Sequence, residues 1–246
     1  MDESQARKPL AVERVRSEFT LVGLAGEVPE ARLAAVIFDM DGVLADTEPI
    51  QEEALGAFLV LRGKSLDSSE YATLFGLDHR ARWAKLSKLL GLDESIEECV
   101  SGHQPILLSR LVGLRAAPGV PELVSALRQA NVPLAVASSS LRPVVEKTLR
   151  EIGIRDAFKV VISGEDVRSG KPAPDIYLLA ADRLRVEPSR CVAIEDSPAG
   201  VQAAAAAGMA CLGIASNYST DDQLGATRTV RSLAEVRLAD LAGLAP

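Results

Sequence analysis

The chain has 246 residues, 48% hydrophobic and 25% charged, with 18 Gly and 13 Pro. That is ordinary globular composition, and it excludes collagen-like, low-complexity and disulfide-scaffold classes. With 27 Lys plus Arg against 34 Asp plus Glu the net charge is −7, a surface that repels a phosphate backbone and argues against nucleic acid as a partner.

Residues 1–32 read as a polar N-terminal extension. Asp2, Glu3, Glu13 and Glu18 sit among its bases, and the apolar patch from Phe19 to Gly26 ends in no small-residue cleavage pattern. No run of 18 apolar residues occurs, so no membrane span is expected. Cys99, Cys191 and Cys211 form no C-x-x-C pair and have no neighbouring histidine, which fits a reducing compartment, argues against zinc, and sets the expected location as the cytoplasm.

From Leu33 onward, short apolar runs alternate with segments of helical period. Strands are predicted at Ala34 to Phe38, Pro133 to Ala137, Lys159 to Ile162, Cys191 to Ile194 and Cys211 to Ala215. Their near-continuous apolar character means burial on both faces, the habit of parallel sheets. Helices are predicted at Val120 to Ala130, Pro143 to Ile152, Pro174 to Arg185 and Ala199 to Ala207, several opening at Pro and closing at Gly. The fold class is therefore α/β, a doubly wound, Rossmann-like parallel sheet.

One stretch breaks the alternation. Residues 48–117 hold no strand pattern, only helical segments at Pro49 to Leu61, Arg80 to Leu90 and Ser95 to Leu111. The expected organisation is an α/β core of residues 33–47 and 118–246 carrying an inserted all-helical domain at 48–117. Asp46-Thr47 and Ala117-Pro118-Gly119 are the expected hinges.

The candidate chemistry lies where strands end. In Phe38-Asp39-Met40-Asp41-Gly42 the alternation of an extended chain points Asp39 and Asp41 one way and Met40 the other. Gly42 allows a sharp turn beside them. Such a carboxylate pair suits either a hard cation or acid/base work. After the second strand, Ser138-Ser139-Ser140 offers hydroxyls and backbone N–H groups to an anion at a helix entry. After the third, Lys171 sits near a helix start, against the macrodipole, and so makes an anion site. After the fourth comes Glu195-Asp196. In open α/β sheets ligands bind beyond the carboxyl ends of the strands, where all four segments fall.

The ordered set FDMDGVLADT, the serine after the second strand, GKPAPD and IEDSPAG resembles the four motifs of the haloacid dehalogenase superfamily, over Ala34 to about Leu233. The resemblance implies a sheet ordered 5-4-1-2-3, with Asp39 central and the helical insertion as a cap. It implies catalytic roles for Asp39 as nucleophile, Asp41 as general acid/base, and Ser138 and Lys171 as holders of the phosphoryl group. Mg²⁺ would be bound by the Asp39 carboxylate, the Asp41 backbone carbonyl and Asp196, with Glu195 helping directly or through water.

Within the superfamily, the dehalogenase branch lacks a carboxylate at the position of Asp41, so its presence points to phosphate esters. The similar sugar-phosphate mutases carry a cap histidine where this chain has Gln51, which favours water as the acceptor. The expected activity is Mg²⁺-dependent hydrolysis of a small phosphorylated metabolite by a monomer or weak homodimer, with a sugar-phosphate mutase or, behind it, a non-catalytic phosphometabolite-binding module on the same fold as the alternatives. Ser138, Ser139, Lys171, His79 and Arg80 are the expected substrate-binding residues, and Arg82 is a further specificity candidate. Trp83, Cys191 and Cys211 are expected in the core, and His103, in a polar turn before Pro105, at the surface.

Overall fold

The computed structural model describes residues 33–74, 77, 79–215 and 220–245. The N-terminal extension and Gly76 lie outside the described residues. Six parallel strands form one sheet: β1 (Ala35–Phe38), β2 (Leu134–Ala137), β3 (Val160–Ile162), β4 (Cys191–Glu195), β5 (Ala210–Ile214) and β6 (Arg228–Val230), ordered β3-β2-β1-β4-β5-β6. The five predicted strands are present in the implied order, and β6 extends the edge beside β5.

Every residue of β1 and β2 is buried, because helices cover both faces. Val36 and Phe38 face one apolar core with α5 (Val120–Gln129) and α6 (Arg142–Glu151), while Ala35 and Ile37 face a second with α7 (Asp175–Leu184) and α8 (Pro198–Ala206). The chain leaves β1 for β2 on one side and later returns to pair β4 on the other. β1 is thus the topological switch point, and the crevice beyond its carboxyl end is where this architecture places ligands.

Among the described residues, four helices run between β1 and α5: α1 (Glu48–Val60), α2 (Ser68–Ala72), α3 (His79–Leu90) and α4 (Ile96–Arg110). Leu55, Phe58 and Leu59 of α1, Trp83 and Leu86 of α3 and Cys99 of α4 form a third, separate apolar cluster, so this segment buries surface of its own. Its two ends meet, the Ala117 N–H donating to the Leu44 carbonyl at 2.9 Å. Trp83, Cys191 and Cys211 are buried as expected. His103 is not in a surface turn. It lies within α4, which continues through Pro105, and it is half-buried against Phe58 and Trp83, with ring centroids 5.9 and 5.3 Å away. The short α9 (Asp221–Leu224) and α10 (Leu238–Ala242) complete the described chain.

Candidate active site

Register assembles the site. Phe38 pairs with Val136 on one side and Ile194 on the other, so the residues just past all three strands come level with Asp39. Met40 enters the core while Asp39 and Asp41 line one cavity, as strand alternation requires. Lys171, Asp196 and Ser139 line the same cavity.

Lys171 is buried, and its Nζ donates to Asp39 Oδ1 at 2.5 Å, Glu195 Oε1 at 2.6 Å and the Ala137 carbonyl at 3.0 Å. Burial alone would depress its pKa, but the Asp39 and Glu195 carboxylates outweigh that and hold it above the ordinary lysine value. Asp39 is pushed up to about 8, first by burial, with Lys171 pulling down and Glu195 and Asp41 adding to the rise. Asp196 is raised well above the carboxylate range, again by burial first and then by Asp39 and Glu195.

One ammonium thus faces four carboxyl groups, an arrangement short of positive charge. Ligand oxygens of Asp39, Glu195 and Asp196 lie within 4.8 Å of one another, and all three residues are buried. No donor among the described residues hydrogen-bonds the Asp196 carboxylate, whereas Glu195 is fully engaged. Its Oε1 accepts from Lys171 and from Tyr177 Oη at 2.7 Å, and its Oε2 from the N–H groups of Asp196 and Ser197 and from Ser197 Oγ. A carboxylate that no protein donor claims, beside two further carboxyl groups, offers the oxygen ligands that a hard cation takes.

Two glycines make room for this cluster. A Cβ on Gly42, at φ +75°, would lie 1.9 Å from Asp196 Oδ2, and one on Gly200 would lie 1.9 Å from Glu195 Oε1. Gly200→Ala is therefore expected to displace Glu195 and destabilise the fold by about 1–3 kcal/mol, the usual range for overpacking. A urea unfolding midpoint unchanged from wild type would show that the carboxylate can give way freely.

Asp41 has a different setting. Its Oδ1 accepts from Thr47 Oγ1 and from Gln51 Nε2 at 3.0 Å, and its Oδ2 from Ser140 Oγ at 2.9 Å and Ser138 Oγ at 3.3 Å. Its carboxyl is thereby fixed toward the cavity and stands outside the cation cluster. Gln51 in turn accepts from Arg82 Nη1 at 2.7 Å, which joins Asp41 to α3. Sequence reading missed Ser140, Thr47 and Tyr177 as partners, because each reads locally as a cap, a turn or a core residue. Of the expected substrate contacts, His79 and Ser139 line the main cavity, whereas Arg80 lines a smaller neighbouring one with Ser139 and Arg168.

The family model described as haloacid dehalogenase-like hydrolase matches residues 33–208. The chain belongs to this family. Among haloacid dehalogenase-like relatives, the phosphorylated carbohydrates phosphatase of Thermotoga maritima is 36% identical over 180 residues, 72% of this chain and 82% of that protein. The fructose-1-phosphate phosphatase YqaB of Escherichia coli is 32% identical over 181 residues, 72% of this chain and 94% of that one. The crystal structure of CbbY from Rhodobacter sphaeroides in complex with phosphate superposes with a TM-score of 0.78 at 30% identity, covering 85% of this chain and 99% of that one. The chain is an enzyme-type member of the haloacid dehalogenase-like hydrolases, consistent with a phosphoric monoester hydrolase. Among the described residues no helix is long and apolar enough to cross a membrane.

Proposed function

We propose that this chain is a cytoplasmic, Mg²⁺-dependent phosphatase that hydrolyses the phosphate monoester of a small metabolite through an aspartyl phosphate on Asp39. The observation that carries this reading is the convergence of Asp39, Asp41, Lys171 and Asp196 on one cavity beyond β1. Phosphoryl transfer asks for positioning and charge neutralisation, and these residues supply both.

The Asp39 carboxylate attacks phosphorus in line, forming a P–O bond as the bond to the leaving oxygen breaks. Asp41 gives its proton to that departing alkoxide, then takes one from the water that attacks the phosphorylated Asp39, releasing inorganic phosphate and restoring both carboxyls. Lys171 and the Ser138 and Ser139 groups hold the phosphoryl oxygens. Lys171 otherwise donates to Asp39 and the Ser138 hydroxyl to Asp41, and both are redirected when substrate enters, while Ser139 lines the cavity beside them.

Asp39 holds its proton up to about pH 8 by itself, so a nucleophile ionised at neutral pH needs added positive charge. Asp39, Asp196 and the Asp41 backbone carbonyl would hold Mg²⁺, with Glu195 contributing charge and anchoring Lys171. When bound, the ion supplies the charge that lets two anions approach. The helical segment 48–117, hinged at 46–47 and 117–119, acts as a cap that closes over the cavity and excludes water, with His79 and Arg80 at its rim.

Hydrolysis is favoured over phosphoryl transfer to a sugar because Gln51, which does not titrate, is the group that contacts Asp41 from α1. The test is phosphate release from an aryl phosphate and a panel of sugar phosphates, with Mg²⁺ and after exhaustive chelation. Full activity after chelation would sink the metal assignment. β-Glucose 1-phosphate converted stoichiometrically to glucose 6-phosphate with a bisphosphate primer, with negligible free phosphate, would replace hydrolase by mutase.

A further inference from the structure

Tyr177 lies beneath the site and does not line its cavity. It is fully buried on α7, in the apolar core that also holds Ile37 and Ala193, where a phenylalanine would satisfy packing alone. A hydroxyl in such a place costs free energy unless it finds a partner. Tyr177 Oη donates to Glu195 Oε1 at 2.7 Å, a short and well-made bond for an O–H donor, and its ring centroid lies 5.3 Å from Lys171 Nζ. One side chain thus meets both members of the Lys171–Glu195 pair.

That pair sets where the ammonium points. Lys171 has three protons and three acceptors, Asp39 Oδ1, Glu195 Oε1 and the Ala137 carbonyl. Substrate engages Asp39, so the bond to Asp39 is the one Lys171 gives up to a phosphoryl oxygen. The other two bonds then fix the direction of the third proton. Ala137 is backbone of the buried strand β2, and its carbonyl holds still. Glu195 is a side chain with rotatable bonds, and its direction depends on what grips it.

Two helices grip it. From α8, Gly200 approaches so closely that a Cβ there would lie 1.9 Å from Oε1. From α7, the Tyr177 hydroxyl bonds that same oxygen, the one that faces Lys171. The donors on Oε2 are longer, with the Asp196 and Ser197 N–H groups at 3.1 and 3.3 Å and Ser197 Oγ at 3.2 Å. Without the tyrosine hydroxyl, two flexible side chains of opposite charge would be left to set each other's place.

We infer that Tyr177 is a positioning residue, which acts through Glu195 to aim the Lys171 ammonium at the oxygens of the phosphoryl group. This role rests on the phosphatase reading above and adds to it a residue that never touches substrate.

The test is Tyr177→Phe, which keeps the ring beside the ammonium and removes the hydroxyl. Titration calorimetry with inorganic phosphate and Mg²⁺ is expected to count about one site per chain, as in wild type, with affinity about 10-fold weaker. Mn²⁺ alone, followed by its EPR signal in the metal-free protein, is expected to bind within about 2-fold of wild type, because the oxygens of Asp39 and Asp196 are untouched. kcat/KM is expected to fall about 10- to 100-fold, and equally for phenyl phosphate and for sugar phosphates, since Lys171 acts on the group that all of them share. A purely structural role would lower the number of phosphate sites and leave the affinity of those that remain.

Unchanged phosphate affinity in the folded variant overturns the proposal. So does a loss of Mn²⁺ affinity as large as the loss for phosphate, because the whole cluster would then have been disturbed. Should circular dichroism show that Tyr177→Phe does not fold, a crystal structure of wild type with Mg²⁺ and orthovanadate carries the test. Tyr177 Oη on Glu195, with Lys171 Nζ bridging Glu195 and a vanadate oxygen, supports the role, and a Glu195 carboxylate turned away from either residue overturns it. A wild type that binds phosphate but releases it from no ester overturns the phosphatase reading, while the calorimetry and EPR still judge Tyr177 on their own.

Discussion

Asp39→Asn is expected to lower Mg²⁺-dependent phosphate release by about 10⁴-fold or more while leaving the fold intact. The amide is isosteric with the carboxyl but a very poor nucleophile, and knocking out an attacking group removes nearly all that the catalytic unit contributes. The variant has a second, opposite signature in the metal-free protein. Asp39 is raised from 3.8 to about 8, so the folded state keeps a proton that the unfolded chain gives up near pH 4. The stability this confers is present below about pH 4 and is lost as pH rises through about 8. Asparagine never charges and can still accept from Lys171. With the metal chelated, Asp39→Asn should therefore melt close to wild type at pH 5 and above it at pH 8. A melting difference that does not grow with pH would mean that the carboxyl is not held protonated by its surroundings. Substantial residual turnover would mean that another residue attacks.

Asp39, Asp41, Ser138, Lys171, Glu195 and Asp196 were legible in the sequence. All but Lys171 stand at or just beyond a short run so apolar that only a buried parallel strand accounts for it, and a polar residue there faces the crevice; Lys171, well past β3, was legible only as a lysine near a helix start. The strand that failed to announce itself lacks that contrast. β6 is Arg228–Val230, three residues at the sheet edge with only Val230 buried. Helix α2 was invisible to periodicity because it buries nothing; it is set by the Asp67 and Glu70 capping box instead.

Tertiary contacts hid the rest. Tyr177 reads as one more apolar-face residue of α7, and its bond to Glu195 exists only because α7 packs across β3, β2 and β1. Gln51, Arg82 and His103 come from three different helices, and no local spacing joins them. His103 was further masked by the polar run Ser101 to Gln104 and by Pro105, which suggests a break where α4 in fact continues. Arg80 and Arg82 are nearly equivalent in sequence, yet their two-residue spacing turns them to different faces of α3. Only Arg82 reaches the main cavity.

Asp41→Asn is expected to lower kcat/KM for alkyl phosphates by on the order of 10²- to 10⁴-fold, and for an aryl phosphate by much less. An alkoxide cannot leave without a proton, whereas a phenoxide can. Because kcat/KM reports events only through the first irreversible step, it isolates leaving-group departure from the later hydrolysis of phosphorylated Asp39. That later step also needs Asp41, as the base toward water, so kcat should fall for both substrates. With the aryl ester, the variant should release about one equivalent of phenol in a fast phase and then turn over slowly. The side chain's surroundings set a control. Both carboxyl oxygens accept hydrogen bonds, from Thr47 and Gln51 on one side and from Ser138 and Ser140 on the other. An asparagine can turn its oxygen to Gln51 and its NH₂ to the Ser138 and Ser140 hydroxyls, which rotate to accept, so the side chain has a way to keep its place. Misorientation of the site alone would slow departure of both leaving groups alike. Equal losses of kcat/KM for alkyl and aryl esters, with no fast phase, would remove Asp41 from proton transfer, whereas the predicted divergence assigns it the proton that the leaving oxygen receives.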